Sequence, residues 1–127
     1  MTPRLCACLA AGLVLLGFDT VRAGEPLSGA QIEIALTGAT TSGVNTYGNP
    51  YTVHILAGGR TEGVAGFSDE YRDSGSWWVE GDAYCRRWDT WLDGQTACFS
   101  VLIADGKITW LDTTTGNVVV EDFTPPQ

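Results

Sequence analysis

The chain has few basic residues, a single histidine and no long apolar segment beyond its N-terminus. Seven lysines and arginines stand against fifteen aspartates and glutamates, which gives a formal net charge of −8. A surface of this sign repels phosphate backbones and anionic lipids, so nucleic acid and membrane partners are disfavoured and a charged partner should be basic. After residue 23 no apolar run approaches the ~18 residues that a membrane-spanning helix needs.

Recognisable catalytic motifs are also lacking. The sequence contains no G-x-S-x-G element, no phosphate-binding loop and no dinucleotide fingerprint. His54 lies in a predicted strand without a nucleophile motif, so we interpret it as a surface or partly packed side chain. Several acidic residues lie in or beside predicted turns, but they match neither the sequence of a calcium-binding loop nor a pair of carboxylates that can be assigned to a glycosidase. They are Asp69, Glu70, Asp73, Glu80, Asp82, Asp89 and Asp93. We therefore predict no catalytic residue, metal site or cofactor, and favour a non-enzymatic protein.

Residues 1–23 have the composition of a signal peptide. Arg4 precedes a continuous small and apolar segment over 5–18, and Val-Arg-Ala at 21–23 has the small-x-small pattern of a cleavage site. We expect a mature chain that begins near Gly24 and is periplasmic or secreted. Cys6 and Cys8 lie inside the apolar segment rather than just after it, which is the wrong place for lipid attachment.

The mature part, 24–127, has the length of one domain. Five basic residues remain in it against fourteen acidic ones, for a net charge of −9. Short β-forming segments alternate there with glycine-rich turns. Strand formers occupy 40–41 together with 44–47, then 51–56, 60–67, 76–80, 83–88, 96–103, 107–111 and 117–123, with a polar connection over 68–74. The pattern predicts a mainly β fold: an antiparallel meander of about seven or eight short strands, as a barrel or a sandwich.

One short helix is predicted before the strands. Ser28 and Gln31 have the spacing of a capping box, and Leu27 and Ile32 stand at the positions of a hydrophobic staple. Two to three turns of helix are too short to be stable alone. We expect Leu27, Ile32 and Leu36 to pack as a plug over an open end or edge of the sheet.

Cys85 and Cys98 are the only cysteines of the mature part, and export predicts that they form a disulfide. Zinc would need more ligands than these two and the distant His54. A tight hairpin turn at 93–94 would not set Cys98 opposite Cys85. The loop between them is therefore predicted to be wide and irregular, or its register shifted by a bulge.

Five tryptophans could include a ligand-stacking platform, although aromatic side chains also dominate the core of a small β domain. Trp77 and Trp78 are adjacent and must face opposite sides of their strand. We assign Trp110 and one of this pair to the core.

The loop over 89–94 is the predicted contact site for a ligand or partner. Trp91 and Leu92 lie outside the clear strand alternation, and Asp89 and Asp93 would keep the loop solvated around an apolar tip. A disulfide at the base of the loop would limit the entropy lost on binding. The same sequence would also suit a tryptophan that folds back over the end of a barrel.

The segment 73–88 reads Asp-Ser-Gly-Ser-Trp-Trp-Val-Glu-Gly-Asp-Ala-Tyr-Cys-Arg-Arg-Trp, and Cys98 and an Asp105-Gly106 turn before Trp110 follow it. This pattern resembles the second half of small exported proteobacterial proteins of unknown function. Those proteins open with a Leu-Ser-Gly-x-x-Ile helix similar to 27–32 here. The resemblance implies an exported β-rich domain and brings no catalytic residue. In class only, the chain is also similar to small acidic periplasmic inhibitors of lysozyme.

These features favour a non-enzymatic envelope protein that binds a small ligand or another protein through its loops. One alternative is an inhibitor of a basic envelope enzyme such as lysozyme. Another is a hydrolase without a recognisable motif. The salt dependence of binding distinguishes the ligand-binding protein from the inhibitor, because binding to a basic partner weakens steeply with salt and binding in an apolar pocket does not.

Overall fold

The computed structural model describes residues 24–127, and the predicted signal peptide lies outside them. Helix α1 (Gly29–Leu36) is followed by a meander of strands with one short 3-10 turn, η1 (Trp91–Gly94), between the fifth and sixth. The strands are β1 (Thr40–Val44), β2 (Pro50–Leu56), β3 (Arg60–Ala65), β4 (Tyr71–Glu80), β5 (Ala83–Trp88), β6 (Ala97–Ala104), β7 (Lys107–Asp112) and β8 (Val118–Thr124).

The sheet closes on itself. Each strand pairs antiparallel with the next along the chain, and β8 returns to pair with β1. The predicted antiparallel meander is confirmed, and of the two predicted forms the protein adopts the barrel. Closure leaves one inner face for the apolar side chains, and an eight-stranded barrel is wide enough inside for side chains or one small ligand.

Two sequence-based boundaries were wrong. The polar connection predicted over 68–74 belongs to β4 from Tyr71 onward, where Tyr71 pairs with Ala65 of β3. Polar residues are tolerated there because alternate side chains point away from the barrel. The strand predicted over 44–47 instead ends at Val44. The Asn45 side chain accepts hydrogen bonds from the backbone N–H groups of Tyr47 and Asn49, both at 3.0 Å, and so forms a turn.

Helix α1 plugs one end of the barrel, as predicted. Ser28 Oγ accepts a hydrogen bond from Gln31 N at 3.2 Å, and Gln31 Oε1 accepts one from Ser28 N at 2.8 Å, which completes the capping box. Leu27, Ile32 and Leu36 are at most 2% exposed. Burial of each such side chain contributes about 1.5–3 kcal/mol, which offsets the weakness of an isolated short helix.

Glycine lets the start of α1 approach the β4–β5 turn. A Cβ atom at Gly29 would lie 2.1 Å from the carbonyl oxygen of Gly81, a distance that no side chain could accept. The backbone N–H of Gly29 donates a hydrogen bond to Asp82 Oδ1 at 2.8 Å. The plug is thus held by main-chain contact as well as by its apolar face.

The opposite end of the barrel carries the remaining connections. Successive turns of a meander alternate between the two ends, so four connections share the end away from α1: 45–49, 66–70, 89–96 and 113–117. We call them the mouth loops. Near this end the β1–β8 ladder stops at the Ser42–Asp122 pair, so the last two residues of β1 have no partner on β8.

An aromatic cavity at the open end of the barrel

A cavity of about 800 Å³ occupies the barrel interior and opens between the mouth loops. This volume lies within the range of ligand pockets, roughly 300–1,000 Å³. Its wall is made of inward-facing strand residues and of two mouth loops, 45–49 and 89–96. The lining includes Tyr51, Tyr84, Arg86, Trp88, Trp91, Leu92, Phe99, Trp110, Val119 and Glu121.

Aromatic rings form the floor of the cavity, above the core that contacts α1. Trp77 stacks on Tyr84 with ring centroids 5.7 Å apart, and Tyr84 contacts Trp110 at 4.8 Å. All three rings are at most 7% exposed. Trp77 Nε1 also donates a hydrogen bond to the carbonyl of Leu56 at 2.8 Å. The core assignment of Trp110 and of one residue of the Trp77–Trp78 pair is therefore confirmed.

Glu121 places a carboxylate on the inner wall and satisfies it with two donors. Trp110 Nε1 donates to Oε1 at 2.5 Å, and the Tyr51 hydroxyl donates to Oε2. Burial, followed by the hydrogen bond to Glu121 and its negative charge, raises the pKa of Tyr51 well above the usual tyrosine value. Tyr51 therefore stays a neutral donor, and the pair fixes β2, β7 and β8 around the cavity.

Arg86 projects into the cavity from the middle of β5. Its guanidinium carbon lies 5.3 Å from the centroid of the Phe99 ring, a cation–π contact. Within residues 24–127 it forms no ion pair and no hydrogen bond. Burial lowers the pKa of the guanidinium, and the neighbouring Tyr84, Glu121 and Asp112 act in the opposite direction. An arginine remains charged in either case, so the wall carries a fixed cation with free donors.

The neighbouring Tyr84 hydroxyl is a second free donor. Burial raises its pKa well above the usual tyrosine value, an effect that the charge of Arg86 opposes and that of Glu121 reinforces. The hydroxyl makes no hydrogen bond within the described part of the chain. It is therefore neutral over the physiological range and can donate to a molecule in the cavity.

Two tryptophans form the wall near the mouth. The rings of Trp88 and Trp91 lie 4.9 Å apart at an angle of 50°. They occupy space left by Gly63 on β3, where a Cβ atom would lie 2.3 Å from the Trp91 ring and 2.9 Å from the Trp88 ring. Glycine at this position is therefore a packing requirement of the two indoles.

Asp73 fixes the loop that carries Trp91. Its Oδ2 accepts hydrogen bonds from the backbone N–H groups of Thr90 at 2.9 Å and Trp91 at 2.7 Å. Burial acts to raise the pKa of Asp73, but these backbone hydrogen bonds outweigh it and lower the pKa below its ordinary value. Beyond the anchor, Leu92 and Asp93 have positive φ angles of 52° and 57°. This conformation is strained for a leucine, by roughly 1–2 kcal/mol.

The four predicted contact residues separate into two pairs. Trp91 and Leu92 line the mouth of the cavity, Trp91 half-buried and Leu92 62% exposed. Asp89 and Asp93 are exposed and lie outside the lining. The structure therefore brings the apolar pair to the cavity and leaves the acidic pair in solvent, while the role of all four stays a prediction.

The disulfide lies on the outer side of the same loop. Cys85 and Cys98 are bonded and stand directly opposite each other on β5 and β6, as the wide-loop interpretation requires. Glu80 Oε2 lies 3.5 Å from Cys85 Sγ and 4.0 Å from Cys98 Sγ. Among residues 24–127 this is the one cluster with metal-ligand geometry. Its sulfurs are bonded to each other and supply no thiolate for a metal.

Sequence reasoning missed the inner-wall residues Arg86, Tyr84, Tyr51 and Glu121. A signal was present for the first two, because Tyr84, Arg86 and Trp88 alternate along β5 with Cys85 between them, which sets an arginine between two aromatic rings on one face. No comparable signal existed for Tyr51 and Glu121, which are 70 residues apart. His54 lies on the exposed surface and contacts Thr40 Oγ1 at 3.3 Å.

Comparison with protein-family models, with curated proteins and with solved structures finds no match to this chain. The resemblance to exported proteobacterial proteins stays a prediction. The helix described within residues 24–127 has only eight residues and is too short to cross a membrane.

Proposed function

We propose that this protein is an exported, non-enzymatic binding protein that holds one small apolar or amphipathic molecule inside its barrel. The observation that carries the proposal is the cavity itself, about 800 Å³ in volume, with eight aromatic residues among the nineteen that line it. A mostly apolar concave site with a few polar groups is the usual form of a small-molecule site. One fold can host many functions, so the proposed function depends on the residues of the site.

The two ends of the barrel have different roles in this proposal. Helix α1 fills one end with Ile32 and Leu36, which are fully buried. The other end gives access between the mouth loops, and Trp91 and Leu92 stand at the rim. A ligand would therefore enter past the loop predicted as the contact site and stop above Tyr84 and Trp110.

The predicted signal peptide and the acidic composition agree with this assignment. Export predicts an extracytoplasmic location, and a disulfide is stable there. The net charge of −8 for the whole chain disfavours nucleic acids and anionic membranes, and it has little influence on an uncharged ligand. The alternatives of an inhibitor of a basic enzyme and of a hydrolase remain separate proposals.

The test uses uncharged probes and a pair of variants in one strand. Isothermal titration of the mature protein with nonan-1-ol and with 2-(2-naphthyl)ethanol should show binding to one site. Val119 lines the cavity and Val120, the next residue of β8, faces outward; they are 47% and 58% exposed. Val119→Trp should weaken binding about tenfold by filling the mouth, or ~1.4 kcal/mol, and Val120→Trp should leave it unchanged.

Two results would contradict the proposal. One is the absence of binding by either probe to a folded protein. The other is an equal effect of the two tryptophan variants, because binding would then occur on the outer surface. Near-ultraviolet circular dichroism of both variants provides the check that the barrel remains closed.

A further inference from the structure

We infer that the molecule bound in the cavity carries a carboxylate, which Arg86 and Tyr84 hold at mid-depth while an apolar body lies against Trp88 and Trp91. This inference rests on the proposed function and specifies its ligand class. It assigns a charge to the ligand and a binding role to Arg86.

Arg86 lies between two aromatic residues on the inner face of β5. Tyr84, Arg86 and Trp88 alternate on the inner face of β5, and all three line the cavity. Burial of a cation is costly unless an anion or several acceptors compensate it. The Phe99 ring supplies one weak contact at 5.3 Å, and Arg86 has no ion pair among the described residues. Its guanidinium donors are thus available to a ligand.

Glu121 does not take the place of that ligand. Both oxygens of its carboxylate already accept hydrogen bonds, one from Trp110 and one from Tyr51. The negative charge of Glu121 acts on Arg86 electrostatically, but the two side chains are not within ion-pair distance of each other. The carboxylate of Glu121 is therefore satisfied by donors of the protein, whereas the guanidinium of Arg86 keeps donors available for a ligand.

Both free groups at mid-depth can donate hydrogen bonds, and the guanidinium of Arg86 offers no acceptor. Tyr84 adds a neutral hydroxyl beside the guanidinium, and its aromatic contacts to Trp77 and Trp110 fix the ring. A guanidinium and a hydroxyl together match the two oxygens of a carboxylate, which accepts charge-assisted hydrogen bonds. An amine offers no acceptor when charged, and its positive charge would repel Arg86.

The acidic surface by itself disfavours a carboxylate ligand. A protein with a net charge of −8 repels anions at long range, so preference for a carboxylate must come from a local group. At an ionic strength of about 0.15 M the Debye length is ~8 Å, which screens the surface charges much more than a buried contact. Ligand binding should therefore be measured at that ionic strength.

The experiment compares three head groups on each of two apolar bodies. The probes are nonanoate, nonan-1-ol and nonylamine, and 2-naphthylacetate, 2-(2-naphthyl)ethanol and 2-(2-naphthyl)ethylamine. Isothermal titration at neutral pH should give the acid the tightest binding, about tenfold over the matching alcohol, or ~1.4 kcal/mol. Arg86→Gln should abolish this preference and retain binding of the alcohol. Arg72→Gln removes the same charge from an exposed position on β4 and should change nothing.

The outcomes separate the inference from the proposed function. If alcohol and acid bind equally in both series, or the amine binds best, the carboxylate assignment is wrong and the binding cavity stands. If none of the six probes binds, the proposed function fails and the inference with it. The wild-type head-group comparison needs no variant, so it decides the matter even if Arg86→Gln does not fold.

Discussion

At the residue scale, β5 sets three different side chains on one inner face. Tyr84 joins the aromatic floor, and Trp88 begins the wall near the mouth. Arg86 contributes a cation that has no ion pair within residues 24–127. Cys85, between the first two, points outward into the disulfide. Because side chains alternate along a strand, the residues that line the cavity and the cysteine of the disulfide lie on opposite faces of β5.

Buried tyrosines should make the barrel sensitive to alkaline pH. The folded pKa values of Tyr84 and Tyr51 are raised above the ordinary 10.0, mainly by burial. Below that pH both states hold these protons and stability is complete. Above it the unfolded chain releases protons that the folded chain keeps, so stability falls as pH rises.

Urea unfolding from about pH 9 to about pH 11 should show this decline, up to ~1.4 kcal/mol per pH unit for each tyrosine. Tyr84→Phe should reduce the slope of the unfolding free energy against pH by the contribution of one tyrosine. The structural cost should be small, because the Tyr84 hydroxyl makes no hydrogen bond within residues 24–127. Tyr47→Phe, whose ring is 89% exposed, is the control. An unchanged slope in Tyr84→Phe would contradict the burial argument.

At the element scale, the β5–β6 connection is held at its base by two independent means. The disulfide joins the strands outside the barrel, and Asp73 on β4 accepts two backbone hydrogen bonds inside the loop. Between these anchors Leu92 and Asp93 adopt left-handed backbone angles. The loop is therefore rigid at its base and strained at its tip, which suits a rim that contacts a ligand.

Removal of the disulfide should destabilise the whole barrel. A cross-link over 13 residues lowers the entropy of the unfolded chain, and its loss should cost about 2–4 kcal/mol. The double variant Cys85→Ala, Cys98→Ala measures this cost by urea unfolding. A reductant should destabilise the wild type and leave the double variant unaffected. Free thiols in protein recovered folded from the envelope would contradict the assignment.

The Trp91 ring should contribute more to binding than to stability. It is half-buried against Trp88, so Trp91→Ala should cost about 1–2 kcal/mol, below the ~3–5 kcal/mol of a fully buried tryptophan. Affinity for the uncharged probes should fall about tenfold. Trp78→Ala, also half-buried but on the outer face of β4, should cost stability without affecting affinity. A loss at Trp91 as large as that of a core residue would make the loop purely structural.

At the scale of the whole molecule, the closed barrel and its surface charge support different partners. The cavity suits a small molecule, whereas a net charge of −8 suits a basic protein, which is the basis of the lysozyme-inhibitor alternative. The two modes respond differently to ionic strength, because exposed charges are screened by salt and a cavity is not.

Binding of nonan-1-ol should therefore be nearly unchanged from low to high salt. A complex with lysozyme, if one forms, should weaken steeply over the same range. Lysozyme activity assayed at low salt with an excess of the mature protein measures the second mode directly. Full activity there would remove the inhibitor alternative, and salt-sensitive inhibition with no alcohol binding would favour it over the cavity proposal.

Local chemistry in the sequence determined several features by itself. The capping box of Ser28 and Gln31, the pairing of Cys85 with Cys98 and most strand positions depend on neighbouring residues and on compartment, so they could be predicted. The polar start of β4 could not, because its strand character comes from pairing with β3 rather than from its own side chains.

Only the tertiary structure decided the candidate site. The choice between barrel and sandwich depends on whether β8 pairs with β1, a contact between distant parts of the chain. Closure then brings Glu121 of β8 to Tyr51 of β2, and the small Gly63 of β3 to the Trp91 ring. Periodicity specifies which face of a strand a residue occupies, but only strand register and closure specify which residues it meets across the barrel.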